Sequence, residues 1–230
     1  MASSEHALDV RGLVKRYRAP EGGITTVVDV PAFTLMPGEQ VAVRGASGSG
    51  KTTFLNLLAG ILEPDAGTVT VAGHCLTTTP AARRDRVRAQ TLGYVVQTFN
   101  LLQGYTVLEN VLLGMMFGRG ADERFARELL TRVGLERRMQ YRPHELSVGQ
   151  QQRVAVARAL AGRPKLVLAD EPTGNLDPAR AAEALALIRG LCREQNAALL
   201  VVSHGREILS RFESVLDFSA INRAAVEAAA

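Results

Sequence analysis

Gln40-Val41-Ala42-Val43-Arg44-Gly45-Ala46-Ser47-Gly48-Ser49-Gly50-Lys51-Thr52-Thr53-Phe54-Leu55 is the stretch of this 230-residue chain from which its fold can be worked out. Gln40–Arg44 is a small-apolar run of strand length. From Lys51 to about Leu62 the apolar residues recur at helical spacing. Between them Gly45 to Thr52 matches G-x-x-x-x-G-K-[ST] in full, in the strand–loop–helix context that the motif requires. Each part has a physical reason. Glycines let successive backbone N–H groups converge on phosphate oxygens, and the start of the helix adds the positive end of its dipole. Lys51 can reach the β- and γ-phosphates, and the Thr52 hydroxyl can complete a Mg²⁺ shell. Gly45, Ser47, Gly48, Ser49, Gly50, Lys51, Thr52 and Thr53 are therefore the expected contacts for Mg-ATP.

Upstream of this unit, Ala7–Leu13, Ile24–Val30 and Ala32–Leu35 read as short strands, the last two separated by Pro31. Downstream, Thr68–Ala72 alternates as a strand, Arg83–Arg88 reads as a short exposed helix and Gly93–Gln97 as a strand. Val107–Met116, Asp122–Val133 and Gln150–Ala161 carry apolar residues at helical spacing. Leu166–Ala169 and Ala197–Ser203 are continuous apolar runs, as in parallel strands buried on both faces, with an Ala/Leu-rich helix at Ala179–Arg193 between them. The expected organisation is an α/β core over 1–97 and 161–222, a helical insert over 98–160 and a flexible Ala-rich tail over 223–230.

The strand Leu166–Ala169 ends in Asp170-Glu171. Successive strand residues point to opposite faces, so the two carboxylates are expected to divide the work. Asp170 is placed to hold Mg²⁺, and Glu171 to orient and deprotonate an attacking water. An acidic strand end by itself equally serves to cap the next turn. Beside a complete phosphate loop, the catalytic reading is preferred.

Composition narrows the function. Hydrophobic residues at 47% and charged residues at 22% suit an ordinary globular protein. No apolar run approaches the roughly 18 residues of a membrane span, and the N-terminal stretch MASSEHALDV lacks the pattern of a secretory signal, so a cytoplasmic location is expected. The net charge is +4, but the arginines are scattered and aromatics make up only 5%, which gives no reason to expect nucleic-acid binding. Cys75 and Cys192 are far apart, and His6, His74, His144 and His204 are dispersed, so neither a zinc site nor a disulfide framework is indicated.

Leu146-Ser147-Val148-Gly149-Gln150-Gln151-Gln152-Arg153, followed by Val154–Leu160 just ahead of the acidic strand, resembles the signature segment of ATP-binding-cassette proteins. The resemblance extends from about Leu8 to Phe212, with the motifs in the family's order. It implies an α/β P-loop NTPase of the ABC type, whose nucleotide-binding domain carries an antiparallel β subdomain and an inserted helical subdomain. It further implies that Tyr17, 28 residues ahead of Gly45, stacks on adenine, and that Gln97 reaches Mg²⁺ and the attacking water. By the same resemblance Asp177 contacts the partner's phosphate loop and His204 touches the γ-phosphate. Lys51, Gln97, Glu171 and His204 form the implied catalytic set, and Thr52, Gln97 and Asp170 the implied metal ligands. Ser147, Gly149 and Gln150 would engage the nucleotide held by a second copy of the chain, so that a head-to-tail dimer closes over two ATPs.

One position departs from the family pattern: Val148 stands where the signature has its first glycine. A positive φ there would strain valine, so a helical-start conformation is expected, with the turnover rate rather than ATP binding affected.

With no membrane span of its own, the chain would drive a separate integral membrane permease from the cytoplasmic face of the membrane, and a homodimer is the simpler assumption. The stretch Phe99, Leu101, Leu102, Tyr105, Val107 and Leu108 either forms the core of the helical lobe or in part docks that permease. Leu168 to Asp177, together with Thr106 to Val111, resembles the ATPases of the lipoprotein-release and macrolide-export group. The alternatives are a soluble cassette acting on DNA or ribosomes, a cell-division-type ATPase that moves no cargo, and a nucleotide binder without turnover.

Overall fold

Residues 6–18, 22–174 and 176–224 are described by the structure, a computed structural model. The branched and small apolar runs pair in parallel: β3 (Gln40–Arg44), β6 (Leu92–Val96), β7 (Leu166–Asp170), β8 (Ala198–Val202) and β9 (Ser214–Asp217) form one sheet in the order β6-β7-β8-β3-β9. Both faces of this sheet are covered. In β8, Leu199 and Val201 enter one hydrophobic core while Ala198, Leu200 and Val202 enter the other. A second, antiparallel sheet has the order β2-β1-β4-β5 and comprises β1 (Leu8–Arg18), β2 (Ile24–Leu35), β4 (Ala66–Val71) and β5 (His74–Cys75). It shares the second core with α1 (Lys51–Leu58).

Pro31 does not split a strand as its sequence suggests: β2 runs through it. The strand lies at the sheet edge, where the missing N–H leaves no ladder bond unmade. The buried positions of β1 change parity, from Leu8 and Val10 to Leu13, because the ladder with β4 slips between Arg11 and Val14. Gly12 sits in this bulge at φ 56°, and Gly67 crosses it so closely that a Cβ there would stand 2.2 Å from the Gly12 carbonyl oxygen.

The segment between β6 and β7 carries α3 (Val107–Met116), α4 (Glu123–Arg132) and α5 (Val148–Ala161). Thr106 and Glu109 form a reciprocal cap at the start of α3, which fixes its first turn. Asn110, fully buried, donates to the carbonyls of Leu102, Tyr105 and Thr106 and accepts from Leu102 N, which pins the preceding loop. This lobe has no separate core. Val111, Leu129 and Val154 belong to the same apolar cluster as Val167 and Val201 of the parallel sheet.

Several boundaries differ from expectation. The first helix, α1, stops at Leu58 rather than near Leu62, because Ile61 N and Leu62 N both turn back to the Asn56 carbonyl. Helix α2 (Ala81–Thr91) is longer than the arginine-rich core read for it, and α5 begins two residues before Gln150. The helix after the acidic strand, α6, spans Pro178–Glu194. Strand β9 and the short helices α7 (Arg206–Leu209) and α8 (Phe218–Ile221) were not anticipated. Of the tail expected to be loose, Arg223 and Ala224 lie in the described part. Arg223 N donates to Asp29 O at 2.7 Å, and the buried Asn222 beside it bonds Asp29 N and Val27 O. Residues 225–230 lie outside the described part.

Candidate active site

Four strand ends of the parallel sheet open at one edge, and the loops leaving them surround a cavity of about 600 Å³. From β3 comes the Gly45–Thr53 loop, from β6 Gln97, from β7 Asp170 and Glu171, and from β8 His204. Ligands of α/β sheets bind at such carboxyl ends. The α1 helix meets the cavity with its N-terminus, and its cap residue Gly50 provides no side-chain hydrogen bond, so the first-turn N–H groups are left for an anion. Gly50 has φ 95°, and a Cβ there would stand 2.8 Å from the Val27 carbonyl oxygen, so this turn of the loop admits no side chain.

Lys51 is 8% exposed, and its Nζ folds back over the loop to donate to Gly45 O at 2.9 Å, Ala46 O at 2.5 Å and Ser49 Oγ at 3.3 Å. Burial holds its pKa below the usual lysine value, against the nearby carboxylates of Glu171 and Asp170. Asp170 shows the opposite shift. Burial raises its pKa, a hydrogen bond with Thr52 lowers it, Glu171 raises it and Lys51 lowers it, with a net rise. On the neighbouring strand, Tyr94 donates to Asn56 Oδ1 at 3.1 Å, and burial followed by the Asp170 charge raises its pKa.

The two acids diverge, though not by strand alternation. Strand β7 ends at Asp170, and Glu171 turns out of it with φ 43°. A left-handed glutamate is a strained backbone state of the kind concentrated at functional sites. Its carboxylate is held firmly: Oε2 accepts from Ser203 Oγ at 3.1 Å, and Oε1 accepts from His204 N at 3.0 Å and lies 2.6 Å from His204 Nδ1. Glu171 and His204, expected to act separately, are thus bonded to one another. Ser203, buried at the end of β8, had no expected role, and nothing in its sequence context distinguishes it. Gln152, 1% exposed on α5, lies within the signature segment but had no expected role of its own; its amide donates to Pro172 O and ties that helix to the loop after Glu171.

Ser147, Gly149 and Gln150 lie elsewhere. With Gln152, Arg153 and Arg180 they line a separate recess of about 210 Å³ that shares no residue with the phosphate-loop cavity. Ser147 caps α5: its Oγ accepts from Gln150 N at 3.4 Å, and Gln150 Oε1 accepts from Ser147 N at 3.0 Å. Val148 is the first residue of that helix and is half exposed; it is not among the residues with positive φ, so valine meets no steric penalty there.

Two residues of the expected set join neither recess. Asp177 caps α6 by accepting from Arg180 N at 3.1 Å, and its other oxygen pairs with Arg180 Nε at 3.3 Å. Tyr17 is exposed near the end of β1, with Lys15 Nζ 5.7 Å from its ring, and the wall of the cavity on that side is Val27.

Comparison with known proteins agrees with this geometry. The family described as ABC transporter matches residues 28–174. The chain is 41% identical over 218 residues to the lipoprotein-releasing system ATP-binding protein LolD of Chromohalobacter salexigens, covering 94% of this chain and 92% of that protein. To LolD 2 of Caulobacter vibrioides it is 41% identical over 219 residues, covering 93% and 94%. Among solved structures, a dimeric post-hydrolysis state of the ATP-binding cassette MJ0796 bound to ADP and Pi superposes with a TM-score of 0.82 at 33% identity, covering 91% of this chain and 93% of that one. A second structure, described as a dimeric bacterial ABC transporter cassette, also gives 0.82, at 34% identity. With a family match over more than half its length and relatives 41% identical over most of it, this chain belongs to the ABC transporter family and is one of its ATP-hydrolysing cassettes.

Proposed function

We propose that the chain is the ATPase subunit of a lipoprotein-releasing type of membrane machine, working as a dimer with an integral membrane permease. The observation that carries the mechanism is the separation of two incomplete recesses on one chain. Lys51, Thr52, Gln97, Asp170, Glu171 and His204 surround one, while Ser147, Gly149 and Gln150 line the other. A head-to-tail pair of copies would bring the two kinds of recess together twice, each pair enclosing one ATP.

In this reading the loop N–H groups and the start of α1 bind the phosphates. Lys51 exchanges its loop carbonyls for β- and γ-phosphate oxygens. Thr52, Asp170 and Gln97 supply only oxygen ligands, which suits Mg²⁺, an ion that takes one or two carboxylates and completes its shell with phosphate and water. Bound there, Mg²⁺ would neutralise charge on the transferring phosphoryl group. Glu171 takes the proton of the attacking water and His204 moves from Glu171 to the γ-phosphate, while the partner's signature segment, at Ser147 and Gly149, closes the far side. Asp177 and Tyr17 stand outside the cavity, and their contacts with the partner and with adenine belong to the closed dimer.

The permease contact is placed on the helical lobe. Of the stretch considered from sequence, Phe99, Leu101, Val107 and Leu108 are core, whereas Leu102 and Tyr105 are exposed, as are Met116 and Phe117 at the end of α3. Leu102 and Phe117 border a groove with Leu92, Tyr94 and Leu113 beside the edge strand β6. Exposed large apolar side chains beside such a groove fit a protein partner. Among the described residues no helix is long and apolar enough to cross a membrane, and the chain is proposed to work at the cytoplasmic face through that contact. The relatives named for lipoprotein release support a membrane-held lipoprotein as cargo.

The test is to express tagged Glu171→Gln in the native host, extract membranes in mild detergent with ATP, and identify the proteins that co-purify. A stoichiometric polytopic partner with a large extracytoplasmic domain is expected. Recovery of the chain without a membrane partner, or on ribosomes or DNA, would overturn the transporter reading and leave the ATPase standing.

A further inference from the structure

We infer that Arg158 is a positioning residue for hydrolysis: from the far end of α5 it clamps the loop that presents Gln97 to the ATP cavity. Its Nη1 donates to Asn100 O at 2.7 Å and its Nη2 to Phe99 O at 2.6 Å, two consecutive carbonyls gripped by one guanidinium fork. Phe99 and Asn100 both lie in the left-handed region, at φ 53° and 48°, a conformation that a bulky residue such as phenylalanine does not keep without outside support. Gln97 opens the turn that follows β6, closed by Phe99 N donating to Val96 O, and Phe99 and Asn100 come two and three residues after Gln97.

Arg158 itself stands on a rigid base. Helix α3 packs so closely on α5 that a Cβ at Gly114 would stand 2.2 Å from the Arg158 carbonyl oxygen. Burial lowers its pKa with no carboxylate acting against it among the described residues, so the two loop carbonyls are the groups that compensate its charge. A lysine could not replace it in kind, because one ammonium does not offer two parallel donors in a fixed plane. Arg158 also lines the groove bordered by Leu102 and Phe117, so the clamp joins that groove to Gln97.

This inference rests on the proposed role of Gln97, and the test separates the two. Full-length Arg158→Met, Arg158→Lys, Gln97→Ala and the Gln97→Ala/Arg158→Met double variant are compared in three measurements: ATP turnover, affinity for a fluorescent ATP analogue, and hydrogen exchange at the amides of residues 97–101. A displacement of about 1 Å in a positioned group costs up to about 100-fold in rate, so Arg158→Met should lose about 10- to 100-fold in kcat with nucleotide affinity unchanged. Arg158→Lys should fall between that variant and the parent. Exchange at 97–101 should quicken in both, and Arg158→Met should add no loss to Gln97→Ala. If Arg158→Met does not fold, Arg158→Lys and its combination with Gln97→Ala carry the same comparison. A full loss from Arg158→Met multiplying that of Gln97→Ala, or unchanged turnover and exchange in the arginine variants, would overturn the inference. Wild-type turnover in Gln97→Ala alone would instead overturn the role given to Gln97.

Discussion

Glu171→Gln is the perturbation that most directly tests the chemistry. The Glu171 carboxylate makes three contacts, with Ser203 Oγ on one oxygen and with His204 N and Nδ1 on the other. A glutamine of the same shape can keep its carbonyl oxygen toward His204 and turn its amide toward the Ser203 hydroxyl, which can accept. The site should therefore stay folded, and only the capacity to take a proton is removed. General-base assistance contributes about 100- to 10,000-fold, or about 3–5 kcal/mol at about 1.36 kcal/mol per decade. The assay is single-turnover hydrolysis with excess protein, alongside ATP affinity and size-exclusion chromatography with ATP. Turnover should fall by that factor with affinity retained, and a dimer should accumulate. Wild-type single-turnover rates would remove Glu171 as the base. A matching collapse in affinity would show that the carboxylate holds the cavity together rather than acting on water.

Three further outcomes are expected. Because burial and Glu171 keep the Asp170 carboxyl above its ordinary range against the pull of Thr52 and Lys51, the folded chain binds that proton more tightly than the unfolded one. Its ionisation therefore costs stability as pH rises, and nucleotide-free Asp170→Asn should melt higher than the parent at neutral pH. That gain should fade as pH falls toward the ordinary carboxylate range, and an equal gain at both ends would refute the assignment. Burial tends to raise the Cys75 pKa, but hydrogen bonds from Thr77 and Thr78 outweigh it and bring the thiol to about 7, whereas burial pushes Cys192 up to about 12. Iodoacetamide should then label Cys75 with a midpoint near neutrality and leave Cys192 untouched until unfolding; labelling of both at equal rates in the folded chain would contradict this. Val148→Gly, at the exposed first turn of α5, should leave ATP affinity unchanged and alter turnover modestly. Loss of affinity would mean that the signature turn is built differently.

Much of the architecture was legible in the chain. The strand–loop–helix unit around Lys51, the buried strands at 166–170 and 198–202 and the helix Val107–Met116 follow from local periodicity and from turn residues placed where the backbone needs them. What escaped has a common cause. Ser214–Asp217 is too short and too polar to announce a strand, and it is one because β3 offers it an open edge. Pro31 reads as a break until the strand is known to lie at the margin of its sheet. The motifs around Ser203, Gln152 and Arg158 gave no sign of their roles, since these lie in partners 20 to 59 residues away.

The sequence by itself determined which groups can bind phosphate and activate water, because that chemistry is written in contiguous motifs whose spacing is set by one turn or one strand end. Tertiary structure alone decided how those motifs meet. It brought four strand ends to a single cavity and left the signature helix start in a recess of its own. It set Glu171 against His204 and Ser203 through a left-handed turn, and it placed Tyr17 and Asp177 outside the cavity. Local sequence sets the conformation of a loop, but the distance between two loops depends on strand order and packing, which become defined only when the whole sheet forms.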